Sequence, residues 1–343
     1  MGPYEASEAL AYAVSRKQPT WLHGKPGIGK TDIVNQVCEK LGLRMWRFPP
    51  TVTLDPVDVR GLPTVENGQT VWARPDLWPS DPDWSGVVFL DELPQGSVAV
   101  QSSLMQAVQC RRIGDMKIPD GAIFVAAGNR QEDRAGANRV ITPLANRFLH
   151  LDVDVDPQQW QLWAVQNGVH SDVRGYLSYR PGNLDTFDPK TDARAFATPR
   201  SWVAASRLVE GEGVPEHLLY SLVAGLVGEG PSAEFLAFRQ IRKELPDRAE
   251  IWKNPRKAAV PTKDPQILYA LVTALADDSR TVEDLEPLAI YGLRLPGDFS
   301  AVLMRDVYWL NVRVVQTERR VHPKCMRGKM VELCAKHRDV LGM

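Results

Sequence analysis

The sequence predicts an α/β chain, in which a parallel sheet lies sandwiched between helices and an all-helical part follows it. Three observations carry this. Short apolar runs ending in polar residues alternate with amphipathic helical stretches as far as Asp156. The first such run leads straight into Gly24-Lys25-Pro26-Gly27-Ile28-Gly29-Lys30-Thr31, which matches the phosphate-binding pattern G-x-x-x-x-G-K-[ST]. After Asp156-Pro157 the strand-like runs cease and helical periodicity takes over.

Residues 5–17 read as an amphipathic helix with Ala9, Leu10, Ala13 and Val14 inward, and Pro19–His23 as a short buried strand. In the loop that follows, glycines allow the tight turn that points several N–H groups at one anion. Lys30 is placed to reach the β and γ phosphates, and Thr31 to offer its hydroxyl to Mg²⁺. Residues 30–41 continue as a helix whose inward face is Ile33, Val34, Val37, Cys38 and Leu41, with Asp32 in its first turn and Gly42 as the stop. Its N-terminus adds partial positive charge beneath the phosphates.

Arg44–Phe48 is a second strand. Residues 51–85, rich in Pro, Gly, Asp and Trp, read as an ordered insertion, because Val71, Trp72, Leu77, Trp78 and Trp84 need something to pack on. Gly86–Leu90 is an apolar run ending in Asp91-Glu92. A parallel sheet presents its ligands at the carboxyl ends of its strands, so the two acids land beside the phosphate loop. Asp91 is then the Mg²⁺ ligand, direct or through water, and Glu92 the residue that orients and deprotonates an attacking water. Residues 97–110 read as a helix and residues 112–118 as a hairpin turning at Gly114-Asp115. Ala122–Gly128 is another strand, delivering Asn129 to hold the water or touch the γ phosphate. Leu149–Val153 is the fifth strand. Helices follow at 158–166, from 171, from 199 with Thr198 as cap, and at 216–227 and 234–244. Residues 246–265, with four prolines, read as a linker or a long surface connection before helices at 266–276, 282–292, 301–317 and 327–340.

Bulk properties narrow the class. The chain has 343 residues, with 41 Lys+Arg against 42 Asp+Glu and a formal net charge of −1, which gives no global case for nucleic-acid binding. Four cysteines in so long a chain form no disulfide framework and point to a reducing cytoplasm. No apolar run reaches membrane-spanning length, and Met1–Glu5 has neither the basic nor the apolar segment of a secretory signal.

The order of parts resembles the AAA+ ATPases and, within them, the MoxR branch. Gly24–Thr31 corresponds to Walker A, Val87–Glu92 to Walker B, Ala127-Gly128-Asn129 to sensor 1, Asn146-Arg147-Phe148 to the arginine-finger segment and Thr198-Pro199-Arg200 to sensor 2. Leu54–Gly61 resembles the branch's insertion in its second helix, and Arg112–Ile118 its hairpin before sensor 1. One departure is Asp91-Glu92-Leu93-Pro94-Gln95, where the branch more often follows the acids with Ile/Leu-Asn-Arg. The likeness spans about residues 5–245. It implies an AAA+ three-layer sandwich over 1–156, a helical lid over 157–245, and beyond it a linker and helical C-terminal extension over 246–343. It implies ATP and Mg²⁺ as cofactors, Arg147 acting in trans in a hexameric ring, and Arg200 touching the nucleotide in cis. It also implies a chaperone-like remodelling activity on a protein client, such as a von Willebrand factor A-domain protein.

Two rival readings are a nucleic-acid motor or restriction-type NTPase subunit, and a nucleotide-dependent scaffold without turnover; intact Glu92 and Asn129 count against the second. No guanine-reading Asn/Thr-Lys-x-Asp motif occurs, which favours ATP over GTP. His322, Cys325, Cys334 and His337 have zinc-compatible spacing, although a terminal amphipathic helix with incidental cysteines is the better account of them. Residues 312–343 carry eight Lys/Arg against three Asp/Glu, a locally basic tail.

Overall fold

The computed structural model describes residues 1–114, 116–133, 140–210, 214–241, 245–261, 264–279, 281–318 and 329–336. They divide into two compact units, residues 1–156 with 188–192, and residues 157–187 with 193–343.

The first unit begins with α1 (Pro3–Ser15), β1 (Thr20–His23), α2 (Lys30–Leu41) and β2 (Arg44–Arg47). Next come α3 (Pro56–Arg60) and a hairpin of β3 (Leu62–Glu66) and β4 (Gln69–Ala73). Then follow β5 (Ser85–Leu90), α4 (Val98–Cys110), the short strands β6 (Arg112–Ile113) and β7 (Met116–Lys117), β8 (Gly121–Gly128), α5 (Thr142–Ala145) and β9 (Leu149–Asp152). Five of these strands form one sheet in the order β2-β5-β8-β1-β9, and every pairing is parallel. Alternation along each buried strand feeds two cores. Val87, Phe89, Ile123 and Val125 face α1 and α2, whereas Val88, Leu90, Phe124 and Ala126 face α4 and the tryptophans of the insertion. The result is the three-layer α/β sandwich of a phosphate-loop NTPase, with strand order and loop position as in the AAA+ class.

The insertion at 51–85 splits in two. Trp78 and Trp84 are buried, and their neighbours are fixed by Trp78 Nε1 donating to Val59 O at 2.9 Å and Trp46 Nε1 donating to Leu77 O at 2.8 Å. The β3–β4 hairpin, by contrast, is exposed along both strands, including Leu62, Val65, Val71 and Trp72. Packing of Val71 and Trp72 into a core is therefore not what happens. The aromatic demand of the insertion is met by Trp78 and Trp84 alone.

The second unit is helical, with α6 (Pro157–Gln166), α7 (Ser171–Tyr179), α8 (Pro199–Glu210), α9 (Glu216–Val227), α10 (Glu229–Ile241), α11 (Arg248–Lys253), α12 (Pro265–Asp278), α13 (Leu285–Gly292), α14 (Gly297–Glu318) and α15 (Lys329–Lys336). The stretch 246–265, expected to be a linker or a long surface connection, is part of this packed unit. Ile251 and Ala258 are buried in its core, Tyr291 Oη donates to Ala259 O at 2.8 Å and Arg294 Nη1 donates to Pro255 O at 2.6 Å. Prolines interrupt the helix there but leave carbonyls free to accept, and side chains of the following helices use them. Arg174 on α7 lies fully buried between Asp277 and Asp306, with the Asp306 contact at 2.6 Å, so helices from both sides of residue 246 share one interior. Of the candidate zinc set, His322, Cys325 and His337 lie outside the described residues, and so does most of the basic tail. Only the helix carrying Cys334 is described.

Candidate nucleotide site

Three strand ends converge at one edge of the sheet. β1 pairs with β8 so that His23 lies opposite Gly128, and Gly24 N donates to Gly128 O at 3.3 Å. The phosphate loop then turns through Gly27 (φ 75°) and Gly29 (φ 96°), conformations that a side chain strains, and Gly29 caps α2. At Gly24 a Cβ would stand 2.6 Å from Val153 O, so only glycine lets the loop run this close to the end of β9.

Lys30 is buried at the mouth of the loop. Its ammonium donates to Gly24 O at 2.7 Å, Lys25 O at 2.9 Å and Asn129 Oδ1 at 3.0 Å. The phosphate loop and the end of β8, 99 residues apart in sequence, thus meet at one nitrogen. Thr31 Oγ1 lies 3.5 Å from Asp91 Oδ2, which places a hydroxyl and a carboxylate together at the N-terminus of α2, where Asp32 also sits. These are hard oxygen donors of the kind Mg²⁺ takes.

Glu92 adopts a left-handed conformation (φ 54°, ψ 36°), which breaks the strand and swings its side chain away from the line of β5. Its backbone N–H bonds Asp91 Oδ1 at 3.0 Å, and Gln95 Nε2 donates to Glu92 Oε2 at 2.7 Å. Gln95 was met in the sequence only as part of a departure from the family pattern; its contact with the carboxylate was not read there. Thr51, the first residue of the insertion, is fully buried. It donates through its amide to Asp91 O at 3.1 Å and through its hydroxyl to Glu92 O at 2.5 Å. Arg130 was also missed. It bonds Val153 O at 3.1 Å and Asp154 at 2.8 Å, linking the ends of β8 and β9 across β1. Neither Thr51 nor Arg130 belongs to a sequence pattern, and only the turn of the chain brings them in.

Arg147 follows α5, its guanidinium donating to Pro143 O while its Nε is buried without a partner among the described residues. Arg200 is exposed in the first turn of α8 in the second unit, and Thr198 caps that helix by accepting from Ser201 N at 3.1 Å. Ile113, on the hairpin before β8, is 1% exposed and belongs to the core, so it is not a contact residue, whereas Lys117 is exposed and paired with Asp120 at 2.9 Å. Val65 and Trp72 are exposed on the β3–β4 hairpin, and a Cβ on Gly114 would lie 3.3 Å from Trp72, so the two hairpins lean on each other.

Residues 20–149 match the family model described as "ATPase family associated with various cellular activities (AAA)". Over 177 residues the chain is 27% identical to midasin of Giardia intestinalis, an alignment that takes in 49% of this chain but only 4% of that protein. Among solved structures, the RuvB Holliday junction branch migration motor of Thermotoga maritima aligns at 17% identity and TM-score 0.37, covering 74% of this chain and 76% of that one. NtrX of Brucella abortus in complex with ATP aligns at 11% identity and TM-score 0.41, covering 92% and 67%. A putative ATPase of Cytophaga hutchinsonii aligns at 17% identity and TM-score 0.35, covering 97% and 88%. Such loose superpositions carry no functional argument; the sheet order, the phosphate loop and the family match do. Residues 20–149 are thus similar to an AAA-type ATPase core, by the family match and by the order of the sheet around the phosphate loop.

Proposed function

We propose that this protein is a MoxR-like AAA+ ATPase that couples ATP hydrolysis at subunit interfaces of a ring to remodelling of a protein partner. The observation that carries the reading is the pair of hydrogen bonds that Thr51 donates to the carbonyls of Asp91 and Glu92. It ties the hydrolytic strand end to the insertion whose far end is the exposed apolar hairpin. A shift at Glu92 on hydrolysis has a short path to Leu62, Val65 and Trp72.

In this reading the loop amides of Gly24–Thr31 cradle the phosphates, and Lys30 exchanges its carbonyl partners for phosphate oxygens. Asn129, already on Lys30, orients the water beside the γ phosphate. Glu92 accepts the water's proton as the oxygen attacks phosphorus in line, and the bond to the β-phosphate oxygen breaks. Thr31 and Asp91 would hold Mg²⁺, which supplies charge neutralisation at the phosphates. Arg147 from the neighbouring subunit stabilises the spread charge of the transferring phosphoryl group. Arg200 reports nucleotide state to the helices of 157–245, which act as a lid, with 246–343 as its extension.

Glu92→Gln, which keeps ATP bound, tests the coupling in a pull-down. The expected result is ATP-dependent capture of a defined protein, lost when Val65→Ser and Trp72→Ser are added. Capture of nucleic acid alone, or capture indifferent to the hairpin, contradicts the remodelling reading.

A further inference from the structure

The segment that delivers Arg147 is short. α5 spans only Thr142–Ala145, and the Arg147 guanidinium bonds its own turn at Pro143 O. Where the arginine stands therefore depends on what holds the two ends of this segment.

At the N-terminal end the holder is Gln101 of α4, a fully buried amide whose two halves are both used. Its Nε2 donates to Gly96 O at 3.0 Å, in the turn that follows Glu92, and its Oε1 accepts from Ile141 N at 3.0 Å, directly before α5. At the C-terminal end the holders are two histidines. His150 Nε2 lies 2.9 Å from Ala145 O, and its Nδ1 lies 2.7 Å from His23 Nε2, the last residue before the phosphate loop. A carbonyl can only accept, so His150 carries its proton on Nε2 and His23 donates to the bare Nδ1. Trp21 stacks on His23 with ring centroids 4.4 Å apart, and the His23 and His150 rings stack at 5.0 Å, which fixes both planes. Burial, then the nearby His150, Arg130 and Lys30, bring His23 down to about 4 against the opposing pull of Asp152, so His23 is neutral near pH 7.

We propose that Gln101 and the His23–His150 pair are positioning residues that fix Arg147 by tying the two ends of its segment to the base turn and the phosphate loop of its own subunit. This rests on the reading that Arg147 acts in trans. Neither end is held by generic packing. One amide and one imidazole each bridge two loops that are distant in sequence, a geometry that apolar residues of the same size cannot reproduce.

The test mixes Lys30→Ala protein, which supplies Arg147 but cannot bind ATP, with Arg147→Ala protein, which binds ATP but lacks the arginine. His150→Phe is placed on one partner at a time; His150 is exposed, so the core survives its replacement. On the arginine-supplying partner, kcat is expected to fall about fivefold to tenfold with KM for ATP within about twofold; on the ATP-binding partner it should change by less than about twofold. His150→Gln, which keeps a donor for Ala145 O, should lose less than His150→Phe, the reverse of the order expected if the ring only fills space. Gln101→Met on the arginine-supplying partner should repeat the loss. A silent parent mixture overturns the trans reading and takes this proposal with it. An active parent mixture indifferent to His150→Phe on the arginine-supplying partner, or equally damaged from either partner, overturns the positioning role alone.

Discussion

In the proposed mechanism Lys30 and Glu92 do different work at the same site, and their variants should separate. Removing the ammonium that bridges Gly24, Lys25 and Asn129 leaves the phosphates without their charged donor, so Lys30→Ala should weaken ATP binding about a hundredfold or more by calorimetry. Glu92→Gln should bind ATP as the wild type does and lose about 10²–10⁴ in turnover. Gln95 donates to the Glu92 carboxylate, so Gln95→Ala should cost about tenfold in kcat with little change in binding, because the carboxylate loses its orientation. His23 makes a pH prediction. Its folded form resists protonation down to about 4, whereas an unfolded histidine takes a proton near its ordinary value of 6.5. The unfolded state therefore binds more protons between these values, and the stability His23 contributes above 6.5 is lost as pH falls towards 4. The difference in Tm between wild type and His23→Gln, followed over that range, should shrink as the pH drops; a constant difference would show that burial of His23 has no linkage.

At the scale of elements, chain punctuation made the sheet legible: apolar runs closed by acids or Asn, glycines at the loop, and helical periodicity between. That was enough to bring Lys30, Thr31, Asp91, Glu92 and Asn129 to one edge, because a parallel sheet leaves strand ends no other place to go. The misreadings share one physical cause, since composition does not say which apolar residues win the available interior. Trp78 and Trp84 took it, Val71 and Trp72 did not, and Ile113 of the second hairpin is buried. The prolines of 246–265 concealed a packed segment because acceptors there are satisfied by Tyr291 and Arg294, whose positions are set by tertiary structure. Contacts made through single polar side chains, such as Thr51 to Glu92 or Gln101 to Ile141, leave no periodic trace at all. Gly128 offers a test of how tightly β8 is seated, since an added Cβ would meet Pro94 Cδ at 2.3 Å. Gly128→Ala should cost about 1–3 kcal/mol in denaturant unfolding and displace Asn129 from Lys30, lowering turnover as well.

For the whole molecule, the central claim is that one subunit's phosphate loop works with its neighbour's Arg147. Among the described residues no helix is long and apolar enough to cross a membrane. A head-to-tail interface repeats the same pairing around a ring, so activity per subunit should rise with protein concentration as subunits associate. The most direct measurement is ATP turnover of Lys30→Ala and Arg147→Ala proteins, alone and mixed in equal amounts. Each alone should be inactive. Random assembly pairs an intact phosphate loop with an intact arginine at about one interface in four, so the mixture should recover about a quarter of wild-type turnover per subunit. A mixture as inactive as its parts, or Arg147→Ala protein hydrolysing ATP at the wild-type rate by itself, would contradict the shared site.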